Sequence, residues 1–127
     1  MEKISITHMS NAHNDWLRGL DFYKEEINIL RNRLTEVAGK NYHPEVMKQV
    51  EHYENQFEIQ SENIHRLRHD IKSNIKITAG EAKAASAGYI DGVLVSHHVD
   101  LGQKFQSEEK TVNELKHDFN QFAAVYM

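Results

Sequence analysis

The stretch HNDWLRGLDFYKEEINILRNRLTEV, residues 13–37, spaces its core-type side chains three and four apart: His13, Trp16, Leu20, Tyr23, Ile27, Leu30, Leu34 and Val37. A strand would turn every second residue to one face, whereas this spacing lays all of these side chains along one stripe of an α-helix, in the a and d register of a coiled coil. Ser10 or Asn11 is suited to cap the start, Asp15 complements the positive end of the helix dipole, and Gly39 suits a left-handed closing residue. The spacing therefore predicts a helix over residues 11–38.

A single helix with one apolar stripe needs partners, and the rest of the chain supplies two. In NYHPEVM, residues 41–47, Pro44 fits the first position of a helix, where its missing N–H would have had no partner. Tyr42 and Met47 stand at the positions of a hydrophobic staple. The second stripe runs through Val46, Val50, Tyr53, Phe57, Gln60, Ile64, Leu67, Ile71, Asn74 and Thr78 and is expected to end before Gly80. So short a connection makes the first two helices an antiparallel hairpin. A third stripe at Val112, Leu115, Phe119, Phe122 and Tyr126 extends backwards through Glu108, Phe105, Leu101 and His98, with Ser96 as the preferred cap. Glu108 conflicts with that extension because it puts a carboxylate on the buried stripe, and a break near Gln106 or Ser107 would remove the conflict.

The expected fold is all-α: three long helices in an up-down-up antiparallel bundle with coiled-coil-like seams, one domain over residues 1–127, and a long, partly structured linker between helices 2 and 3. Aligning the seams puts Tyr23, Gln60 and Val112 in one central layer, with a hydrogen bond from Tyr23 to Gln60 expected.

Composition restricts the function. The 127 residues carry 15 Lys and Arg against 19 Asp and Glu, a formal charge of −4 that opposes binding to nucleic acid or to anionic membranes. Without cysteine there are no disulfides, thiolate metal sites or cysteine nucleophiles. Neither a signal-peptide-like apolar run nor a segment of membrane-spanning length is present, so the expected location is the cytoplasm. No nucleophile elbow or phosphate-binding glycine loop occurs.

Two features point to contact with other chains. AGYIDGVLVSHH, residues 87–98, interrupts a charged sequence with Tyr89, Ile90, Val93 and Leu94, which are expected to fold over the bundle end or against a partner. Within it, Asp91-Gly92 carries a type I′ turn signal. Phe22 and Ile29 lie one heptad apart at c positions, off the main seam, as does Ile59 on helix 2, which suggests a second contact face and a homodimer or another protein partner.

A different class of function would use His13, Asp15, His97 and His98, with His8 nearby, because parallel first and third helices bring their starts together. Imidazoles with a carboxylate suit a divalent transition metal. His13 and His98 also fall at seam positions, where packing with one hydrogen bond is sufficient, and that reading is preferred. Two Glu-x-x-His elements, Glu62/His65 and Glu114/His117, resemble di-metal ligand spacing, but their heptad phase turns them outward. His65 and His69 form a surface pair. The sequence is thus expected to encode a cofactor-free, non-enzymatic interaction or structural protein.

Overall fold

A computed structural model describes the backbone of residues 6–84 and 92–127, and the side chains of residues 7–80 and 93–127. Three α-helices account for it: α1 (Ile6–Lys40), α2 (Pro44–Ala84) and α3 (Gly92–Tyr126). They pack against one another in the expected up-down-up order. No helix among the described residues is long and apolar enough to cross a membrane.

The bundle divides into two compact units, one comprising the chain up to Asp21 with His65–Ser107, the other Phe22–Ile64 with Glu108–Met127. In the second unit, Ile27, Leu30, Leu34 and Val37 of α1 and Val46, Val50, Phe57 and Ile64 of α2 are buried with Val112, Phe119, Phe122 and Ala123 of α3. Tyr53 meets both Phe119 and Phe122 with ring centroids 5.3 and 5.1 Å away, so aromatic contact dominates the α2–α3 seam. Asn41 donates to the Val37 carbonyl at 2.8 Å and to the Tyr126 carbonyl at 3.1 Å. One amide thus satisfies a terminal carbonyl of α1 and one of α3, as the side-by-side ends of parallel helices allow.

The first unit buries Met9, His13 and Leu20 of α1, Leu67, Ile71, Asn74 and Thr78 of α2, and Leu94, Val95, His98 and Leu101 of α3. Two glycines set the α1–α3 approach there. A Cβ on Gly19 would lie 2.6 Å from Phe105 Cζ, and one on Gly102 would lie 3.0 Å from Trp16 Cζ2. Each aromatic ring therefore lies over a glycine of the opposite helix, and the two rings stack at 6.5 Å. An ion pair from Arg68 Nε to Asp21 at 3.0 Å ties α2 to α1.

The helix ends depart from the sequence expectations. Ser10 and Asn11 lie inside α1, and Gly39 and Gly80 are helical. The stop-like glycines remain helical because continuing the helix bonds their backbone groups, and a Cβ at either would meet nothing within 4 Å. Ser96 lies inside α3, which begins at Gly92, so Val93 and Leu94 are helical and form no hairpin arm. Tyr42 is 91% exposed, which rules out the staple with Met47. The α2 start is capped instead by His43, whose Nδ1 accepts from Glu45 N–H at 3.2 Å while its carbonyl accepts from Val46 and Met47. Finally, α3 runs unbroken through Gln106 and Ser107.

Candidate functional site

Among the described residues, the buried polar side chains form two groupings, one in each unit. In the second unit, Glu108 is only 8% exposed and lies on the seam of a continuous helix. Its partner is Gln60, whose amide nitrogen, turned towards the carboxyl group, donates to the two oxygens at 2.7 and 3.0 Å. Burial pushes the Glu108 carboxyl up from 4.5 to about 7. The contact survives a change of protonation, because the opposite amide orientation accepts from a neutral acid through its carbonyl.

Beside it, the Tyr23 hydroxyl donates to Glu109 Oε2 at 2.7 Å rather than to Gln60. Burial, then the bond to Glu109, raises the Tyr23 hydroxyl above its ordinary range. The central layer expected from the seams is therefore polar, but its partners are reassigned: Gln60 pairs with Glu108 and Tyr23 with Glu109. Lys116 pairs with Glu26 at 2.8 Å on the flank.

In the first unit, α1 contributes His8, His13 and Trp16, α2 contributes Asn74 and Thr78, and α3 contributes His98. The His13 and His98 rings meet edge to face at 5.3 Å, His8 lies 6.4 Å from His98, and Trp16 lies 4.8 Å from His98. His13 Nε2 is 3.0 Å from Asn74 Nδ2. Since an amide nitrogen only donates, Nε2 accepts and the His13 proton resides on Nδ1. Desolvation, reinforced by His98, holds His13 down at about 4. His98 is lowered as well, by desolvation and then by His8.

The residues expected to hold a metal separate. His13 and His98 face inward, whereas Asp15 is exposed and pairs with Arg18 at 3.6 Å. His97 is also exposed and lines a shallow groove with Asp70, Asp100 and Lys104. Successive positions on a helix are about 100° apart, so neighbouring seam and off-seam residues diverge. Among the described residues, no group of three or more His, Cys, Asp or Glu side chains is placed to hold a metal ion. Glu62, His65, Glu114 and His117 are exposed, in keeping with their heptad phase, and so is His69.

Of the residues expected to meet a partner, Phe22, Ile29 and Val93 are 56%, 53% and 68% exposed. Leu94 is instead buried in a cluster with Met9 and Val95. Tyr89 and Ile90 lie outside the described residues. The chain matches no family model, no curated protein and no solved structure. Sequence reasoning missed Glu109 as the tyrosine partner and the ring-on-glycine contacts. The signals were a glutamate directly after the seam glutamate, and glycines set within otherwise helical patterns.

Proposed function

We propose that this protein is a non-enzymatic helical contact protein that acts as a homodimer, with Phe22 and Ile29 at the centre of the contact. The carrying observation is their exposure. The a and d positions beside them are filled by the chain's own helices, yet these two large apolar side chains, one heptad apart on α1, remain more than half exposed. Apolar residues repeated on one helix face present an edge that a second helix can cover, and two-fold pairing is the commonest way for identical chains to do so.

Light scattering coupled to gel filtration tests the reading. Wild type is expected at the dimer mass, and the Phe22→Lys/Ile29→Lys double variant at the monomer mass with its helical circular dichroism unchanged. A dimer that persists in the double variant would remove these residues from the interface.

A further inference from the structure

His98 of α3 stands between His8 and His13 of α1, and the chain's one tryptophan, Trp16, lies against both buried rings, 4.8 Å from His98 and 5.6 Å from His13. From α2 the facing groups are Asn74 and Thr78, neither of which carries charge. The nearby acids are turned outward: Asp15 pairs with Arg18, Asp100 pairs with Lys104, and Asp70 lines the groove beside His97. Among the described residues, a proton added to His13 or His98 thus meets other imidazoles and no carboxylate.

The same region is imperfectly satisfied. His98 Nδ1 and Thr78 Oγ1 are both buried without a hydrogen-bond partner. Unsatisfied buried polar atoms lower local stability, which favours opening at this end of the first unit.

We propose that the buried His13–His98 pair is a proton-operated latch: acidification charges these two imidazoles and opens the surrounding helix contacts, exposing Trp16 further together with the apolar Met9, Leu94 and Val95, while the second unit stays packed. Histidine clusters can bias a two-state element in this way when the charged form is disfavoured only in the closed state. The lowered affinity of His13 and His98 for protons agrees with that requirement. The sign follows: both rings bind protons more weakly closed than open, so falling pH favours the open form.

Trp16 reports the event directly in the full chain. Its emission wavelength and its quenching by acrylamide are followed from pH 7.5 to 4, alongside the amide NMR signals of Ile27, Phe57 and Phe119 in the second unit. The expected result is a red shift and at least a twofold rise in quenching between about pH 6 and pH 4, with the second-unit amides retained. In His98→Gln the transition moves to lower pH. His8→Gln moves it the same way by relieving repulsion from an exposed position, and serves if the buried substitution does not fold. An emission wavelength and quenching constant unchanged down to pH 4 would overturn the proposal. So would exposure of Trp16 only together with loss of the second-unit amides, or an identical transition in the folded histidine variants.

Discussion

Replacing Glu108 with glutamine removes a buried ionisable group while keeping its shape and its ability to bond to Gln60. A carboxyl raised by burial from 4.5 to about 7, at about 1.4 kcal/mol per pH unit, opposes folding by about 3 kcal/mol once both states are ionised. The two hydrogen bonds from the Gln60 amide favour the ionised form and offset about 1 kcal/mol of this, leaving about 2 kcal/mol. In the unfolded chain the carboxyl ionises near 4.5, whereas in the fold it keeps its proton until about 7, so its contribution to stability declines as pH rises through that window. Urea denaturation of wild type and Glu108→Gln, at one fixed protein concentration and at pH 4.5, 6 and 8, isolates this effect because all other titrations cancel in the difference. The expected gain from Glu108→Gln is about 2 kcal/mol at pH 8 and near zero at pH 4.5. A difference that does not change with pH would refute the argument and mean that water or rearrangement solvates the carboxylate in the fold.

Other substitutions probe the helices. Gly80→Ala is expected to stabilise by about 0.5 kcal/mol, since a Cβ there meets nothing within 4 Å and alanine is the better helix former. Gly19→Ala gains the same preference but drives a Cβ to 2.6 Å from Phe105, and a net loss of about 1 kcal/mol is expected, measurable by the same urea transitions. His43→Asp puts a stronger acceptor at the α2 cap and should raise the thermal midpoint, with a stabilisation of about 0.5 kcal/mol, whereas His43→Val should lower it. Stability at acid pH should rise in His13→Gln relative to wild type. His13 ordinarily protonates near 6.5 but is held to about 4 in the fold, so wild type loses stability as pH falls across that interval and the variant lacks that loss.

The helices were legible because one periodic stripe repeats along each of them, and burial at Leu20, Ile27, Phe57, Ile64, Val112 and Phe119 follows that period. Their ends were less legible. Gly39 and Gly80 look like stop signals, yet a glycine ends a helix only when the following chain turns away, which is a tertiary matter. The His43 cap was hidden because histidine is not among the usual capping residues. Glu108 showed the opposite error: a buried carboxylate suggested a break in α3, and the fold accommodates it with a single amide from α2. At the histidine end, sequence placed His13 and His98 together correctly. The divergence of Asp15 and His97 was legible too, since they stand two residues and one residue from the seam positions His13 and His98, and the step of about 100° per residue that turns the Glu-x-x-His pairs outward turns them away as well.

The two buried groupings respond to acid in opposite senses, since protonation suits Glu108 and opposes His13 and His98. That contrast bears on how the units behave, whereas the reading of the whole protein rests on self-association. Native mass spectrometry of the untagged chain at micromolar concentration tests that directly. The account predicts a dominant species of twice the chain mass, reduced to the single-chain mass by Phe22→Lys/Ile29→Lys. A wild-type spectrum containing only the single chain across the concentration range would contradict it.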